Sequence, residues 1–377
     1  MRRVVLVLAA CSSANSAPSA PMPTSVRAPV APHAPVAAPS QLGDTTSTAR
    51  ITRARVVAAV DAGPASDRPT YARADQRVIL YAVIEAERAV YSDAPRLELH
   101  GRSVVTQPLA AAPACTVAWN KIEPAAANTT NEDDAGFHFA PIDYRATPVQ
   151  TGGATLVADV HPTLTPDHGR GVGTMRYQIV VSQAASEHVV ASPGPEAHRG
   201  KGSGGLTDDV LRVSIRRDDT YLGYLTEMYG QPYVWASAGL TDATHQSERL
   251  EGSDCADFIV YGARRMGAKL AYTWTGGLPQ ITKLLASGSR APDGIYRDAK
   301  GQPVPFTRVG DLILFPRHVG ALAEDRGTIG VLDDQDLVMH TLFDSPKEQA
   351  LADTGYADKP AELRRFTRDL RPDRSRN

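Results

Sequence analysis

The chain has almost no cysteine: Cys11, Cys115 and Cys255 are the only three in 377 residues. Three scattered thiols do not make a disulfide framework, and none sits in the close-paired spacing of a zinc ribbon. An excess of one charge is missing too. Lys and Arg number 40 against 42 Asp and Glu, a formal net charge of −2, so nothing points to nucleic acid as a partner. The apolar run at the start, Val4 to Ala10, is far shorter than the ~20 residues that a membrane-spanning helix needs. What is present, 377 residues of which 42% are hydrophobic, suffices for two ordinary domains with their own cores.

Met1-Arg2-Arg3 and the following Val4-Val5-Leu6-Val7-Leu8-Ala9-Ala10 read as the basic and apolar parts of a signal peptide over residues 1–10. The run ends in Leu8-Ala9-Ala10-Cys11, which resembles a bacterial lipobox. That resemblance implies cleavage before Cys11 and a lipid on its sulfur. It would place the protein in the cell envelope, anchored to a membrane on the extracytoplasmic side, the outer membrane facing the periplasm being one option. A plain secretory signal and no signal at all are the alternatives. Residues 11–50 are rich in Ala, Pro and Ser, with prolines at 18, 21, 23, 29, 32, 35 and 39. Such a stretch buries too little apolar surface to fold, and is expected to act as an extended tether.

Residues 51–183 hold runs of β-branched and apolar residues separated by turn chemistry, notably Arg77 to Ile84, Arg96 to His100, Cys115 to Trp119, Ala154 to Val160 and Met175 to Val181. The expectation is a small mostly-β module, a sandwich or barrel, with Cys115 and Trp119 in its core. His100, His138, His161 and His168 show no spacing that makes a metal site. The run His168-Gly169-Arg170-Gly171-Val172-Gly173 has alternating glycines but lacks the strand-then-helix setting of a phosphate loop, and reads as a turn. Residues 184–205, with Pro193-Gly194-Pro195 and Gly200 to Gly205, read as a linker to a domain at 206–377.

In that last segment, Asp219 is expected to cap a helix through Met228, and Pro279 to start a short one through Leu285. Gly252 to Gly267 carries the chemistry. Ser253 or Asp254 suits an N-cap, and Gly267 a C′ stop. Cys255, Phe258, Ile259, Gly262 and Met266 recur at helical spacing, which leaves Asp257, Arg264 and Arg265 to face water. A thiol in the first turn meets the positive end of the helix dipole, which favours the thiolate and lowers its pKa. Val309 to Phe315, His318 to Glu324 and Leu337 to Phe343 read as three strands of an antiparallel meander. The tail from Lys359 mixes charges and reads as a solvated helix with a frayed end.

A thiolate nucleophile needs an imidazole to take its proton and a third group to fix that imidazole. His318 opens a strand after Cys255, and His340 follows on the adjacent one. The order Gly230-Gln231-Pro232-Tyr233-Val234-Trp235, Asp254-Cys255, Gly310-Asp311-Leu312-Ile313-Leu314-Phe315, His318-Val319-Gly320 and then a strand with His340 resembles the NlpC family of papain-like bacterial cell-wall cysteine peptidases. The resemblance covers about residues 218–345. It implies an α+β fold, a papain-like C-terminal domain with N-terminal helices packed on an antiparallel sheet. Cys255 would be the nucleophile, His318 the general base and acid, and His340 its orienting partner, with no cofactor. Tyr233 and Asp254 would serve the oxyanion and substrate side, together with the Cys255 amide. The substrate would be peptidoglycan stem peptides, cut between D-glutamate and the diamino acid.

Two departures stand out. Where the family has Asp-Cys-Ser-Gly, Ala256 and Asp257 follow the cysteine; where it has two glycines after Tyr-x-Trp, Ala236 and Ser237 stand. Three alternatives therefore stay open: an amidase or acyltransferase for another substrate, a non-catalytic envelope-binding lipoprotein, or a zinc site on Cys255 and the two histidines, which lacks a fourth ligand at sensible spacing.

Overall fold

A computed structural model describes residues 49–133, 136–137, 142–183, 187–199, 204–368 and 370. The signal peptide at 1–10, Cys11, nearly all of the tether at 11–50 and His138 lie outside the described residues.

Alternation builds the first half. Ile51–Val60 pairs antiparallel with Val78–Ala86, and its even-numbered Ala54, Val56 and Ala58 point one way while Val57 and Ala59 point the other. Thr116–Pro124 and Gly173–Gln183 form the centre of a second antiparallel sheet. Leu80, Ala82 and Ile84 from the first sheet meet Trp119, Tyr177 and Ile179 from the second in one buried cluster, which also takes in Cys115. The two sheets therefore pack face to face, as a pair of half-apolar surfaces must.

This module does not end at residue 183. His188–Ala191, inside the segment expected as a linker, pairs with the end of Gly173–Gln183, and Leu211–Arg216 from beyond that segment pairs with the start of the same strand, both on the edge away from Thr116–Pro124. Thr70–Arg73 then adds to Leu211–Arg216 in parallel. A short strand of the first half, Asn128–Thr130, pairs with Tyr233–Trp235.

The third sheet is antiparallel throughout. Its order is Tyr296–Arg297, Thr282–Arg290, Ala361–Phe366, Leu312–Phe315, His318–Glu324, Leu337–His340 and Lys347–Ala350. The expected meander is its centre, although the third strand stops at His340 rather than Phe343. Leu312, Leu314, Val319, Ala321 and Met339 pack with Phe258 and Ile259 of the helix Cys255–Arg265, while Ile313, Phe315, Leu322 and Val338 line the opposite face.

The α+β papain-like expectation, with N-terminal helices packed on a sheet, is overturned. Among the described residues strand makes up 42% and helix 11%, the latter as three short α-helices and 3₁₀ turns, and the sheets are curled. The physical reasons are local. The first helix covers only Tyr221–Leu225, capped by Thr220 rather than Asp219, and tightens into a 3₁₀ turn at Thr226–Met228. Asp219 is instead drawn to Arg216 at 2.7 Å. The helix opened by Pro279 lasts only Leu278–Ile281, because Thr282–Arg290 is taken up by the ladder with Ala361–Phe366. That last strand also replaces the expected solvated tail helix: Ala361, Leu363 and Phe366 are buried, and Arg365 makes a bidentate pair with the buried Asp311, both contacts 2.6 Å. No helix among the described residues is long and apolar enough to cross a membrane.

Candidate active site

Asp254 is the N-cap, and its Oδ1 accepts from the amides of Ala256 and Asp257, each at 2.9 Å. That leaves the Cys255 amide unused by the cap, where a helix start offers its free donors. Gly267, at φ +85°, ends the element one residue past Met266 as its position in the sequence suggested. Gly252 has φ +132°, and a Cβ there would lie 2.5 Å from Val234 Cγ2 and 2.6 Å from the Pro232 carbonyl. The tight approach lets the Val234 amide donate to the Ser253 carbonyl at 3.0 Å, which ties Tyr233 to the cysteine turn. Gly252→Ala should lower stability by about 1–3 kcal/mol, read as a shift in the urea midpoint, because it meets both the forbidden φ and the clash.

The two histidines meet. His318 Nε2 and His340 Nδ1 share a hydrogen bond of 2.9 Å, and both rings are buried, at 0% and 1% exposure. The His318 ring stacks on Tyr356 at 4.8 Å between centroids, and also lies parallel to Phe315. With Nε2 engaged, Nδ1 of His318 has no hydrogen-bond partner. Cys255 comes to the start of the same strand, where its sulfur faces the backbone amide of Val319, next in the chain after His318. The sulfur and the ring are brought to one place without being hydrogen-bonded to each other.

The electrostatics run against the helix-dipole expectation. Burial, at 6% exposure, pushes the Cys255 thiol well above its ordinary range, and the Asp254 charge adds to it; the Val319 amide and the cysteine's own amide pull weakly the other way. A helix terminus stabilises an anion by at most about 2 kcal/mol, and desolvation of a buried charge outweighs that. Burial also lowers His318 to about 3, helped by His340, and His340 to about 4, helped by the Lys347 charge. The Gln349 side chain favours the His340 cation, though His340 Nε2 completes no hydrogen bond. The thiol and both imidazoles are therefore neutral at rest.

Folded His318 holds fewer protons than an unfolded one between pH 6.5 and about 3. Its contribution to stability is then present above 6.5 and is lost as the pH falls toward about 3. His318→Gln should flatten the acid side of the stability curve by up to about 1.4 kcal/mol per pH unit inside that window. Urea midpoints at about pH 4 and about pH 7 check it, since every other titrating group is common to both proteins.

Tyr233 is buried, and its ring meets Phe343 edge-on at 5.4 Å. Its hydroxyl is held far up by burial and by the nearby Cys255 and Asp254 charges, so it stays a proton donor. Asp254 acts as the cap; burial lifts its carboxyl to about 6.

Sequence reasoning missed a second cluster behind the cysteine turn. Asp257, expected to face water, is buried, as is Arg265. Ser237 Oγ accepts from the Asp254 amide at 3.0 Å and donates to Asp257 Oδ2 at 2.5 Å. His245 Nε2 lies 3.4 Å from the same Asp257 oxygen, and its ring stacks on Tyr272 at 3.8 Å. The two departures from the family pattern, at Ser237 and Asp257, thus satisfy one another. The signal in the sequence was that pairing of a polar substitution before the cysteine with an acidic one after it.

Against known proteins, the chain matches no family model, no curated protein and no solved structure.

Proposed function

We propose that this chain is a cysteine peptidase of the cell wall that hydrolyses amide bonds in peptidoglycan stem peptides, between D-glutamate and the diamino acid, through Cys255, His318 and His340. The observation that carries the reading is the 2.9 Å His318–His340 bond, which holds one imidazole nitrogen free at the strand start where the Cys255 sulfur lies. The similarity in motif order to the NlpC family supplies the substrate class.

In this reading the substrate carbonyl carbon approaches Sγ, and the thiol proton passes to His318 Nδ1 as the carbon–sulfur bond forms. The proton moves with the attack, since both partners are neutral beforehand. His318 Nε2–H, donating to His340 Nδ1, fixes the tautomer that leaves Nδ1 able to accept. The carbonyl oxygen becomes an oxyanion that the Cys255 amide and the Tyr233 hydroxyl can meet. His318 then gives its proton to the leaving amine. A thioester remains; water attacks its carbonyl carbon as His318 takes the water proton, the carbon–sulfur bond breaks to release the acid, and the proton returns to the Cys255 sulfur. A lipid on Cys11 would tether the protein to an envelope membrane.

The burial and raised pKa of Cys255 favour a second reading, an envelope-binding protein whose thiol is inert. Mixing the protein with muropeptides and assaying for new amine termini tests the first reading. Rapid alkylation of native Cys255 by iodoacetamide near neutral pH argues for it as well; a thiol modified only after unfolding favours the second.

A further inference from the structure

The glycine-alternating run from His168 has a place that its turn reading did not explain. It forms one wall of a cavity of about 580 Å³, whose lining includes none of Cys255, His318 and His340. The lining also takes in Leu337, Lys347 and Glu348 from the third sheet, with Thr226 and Tyr229. The volume falls in the range of small-molecule sites, about 300–1,000 Å³.

The turn is built rather than loose. Asp167 Oδ1 accepts from the amides of Gly169 and Arg170, each at 3.0 Å, and Arg170 and Gly171 both take positive φ, +50° and +99°. This arrangement carries Arg170 to the cavity edge. Arg170, Arg217, Arg326 and Lys347 line the space against Asp167 and Glu348, so cations outnumber anions on the lining itself, while Glu324 and Asp344 pair with two of those cations outside it. Glu348 is engaged by Arg217 at 2.8 Å. Asp344 holds Lys347 at 2.8 Å and His168 at 3.0 Å from behind, and so orients both. Arg326 pairs with Glu324 at 2.6 Å, and Arg170 has no ion-pair partner among the described residues. Guanidinium forks around a partly enclosed space suit planar or tetrahedral oxyanions.

We propose that this cavity binds a small ligand with at least two clustered negative charges, carboxylate or phosphate, held by Arg170, Arg326 and Lys347. The proposal does not rest on the Cys255 reading, although Lys347 is paired across the third sheet with His340.

Calorimetric titration of the full chain with citrate and, separately, with inorganic pyrophosphate tests it. Binding of at least one probe, weakened by salt and at least about tenfold weaker in Arg170→Ser, is the expected result. Citrate alone binding marks a carboxylate ligand, and pyrophosphate alone a phosphate. Arg170 sits on an exposed turn and makes no ion pair, so its replacement leaves the fold in place; unchanged far-UV circular dichroism checks this. Lys347→Gln, on a strand of the third sheet, gives a second variant. No binding of either probe overturns the proposal, and so does binding that both variants retain in full, which would mean an adventitious ion only.

Discussion

Cys255→Ala should leave a folded protein that releases new amine termini from muropeptides at least about 10⁴-fold more slowly than the parent chain. The magnitude follows from what is removed. In the proposed mechanism no acyl-enzyme forms without the sulfur, and the proposed oxyanion donors and the binding surface retain only their own share of the rate. The fold should persist because alanine takes over a small site on a helix whose packing rests on Phe258, Ile259 and the strands beneath them. Loss of one sulfur from that site should lower stability by about 1 kcal/mol. His318→Gln should fall to a similar residual rate, since the two residues act as a unit and their losses do not add. A Cys255→Ala protein that cleaves at the parent rate would sink the peptidase reading. It would leave the anion cavity untouched.

Glu227→Ala should lower stability by about 3–5 kcal/mol, the largest single effect expected outside the hydrophobic cores. Glu227 is fully buried. Its carboxylate takes Arg265 through two contacts of 2.8 and 3.0 Å, lies 3.6 Å from Arg216, and accepts from the Tyr261 hydroxyl. Removing it strands the buried Arg265 guanidinium at the end of the cysteine helix, while Arg216 of the second sheet keeps Asp219 at 2.7 Å. Arg265 is also clamped between the rings of Tyr71 and Tyr224, at 4.6 and 5.1 Å, so it cannot turn out to water. Glu227→Gln keeps the shape and one acceptor, and should lose less. Urea midpoints of the three proteins give the comparison; a Glu227→Ala midpoint within about 0.5 kcal/mol of the parent would show that the network contributes little.

Much of this was legible one element at a time. The caps of the cysteine helix, Asp254 and Gly267, and the strands around His318 and His340 could be read because their signals are local: a short polar side chain before an apolar period, a glycine after it, and alternation of period two. The misread elements share a different cause. Thr282–Arg290 and Ala361–Phe366 carry Lys, Arg and Ser at positions that a partner strand satisfies, so each looks like a loop or a solvated helix until the other is beside it. Asp257 and Arg265 looked like a wet helix face because the groups that bury them, Ser237 and His245 for one and Glu227 for the other, lie 12 to 38 residues away.

By itself the sequence put forward the candidate residues for the proposed chemistry: one thiol at a helix start, two histidines on neighbouring strands, a tyrosine before them. Those assignments depend on residue type and short-range pattern, which travel with the chain. Tertiary structure alone decided that the histidines bond to each other, that His318 keeps Nδ1 free, and that the thiol is raised rather than lowered. Each of these depends on how much water is excluded around a side chain and on what faces it from a distant strand, and no local period in the sequence encodes either.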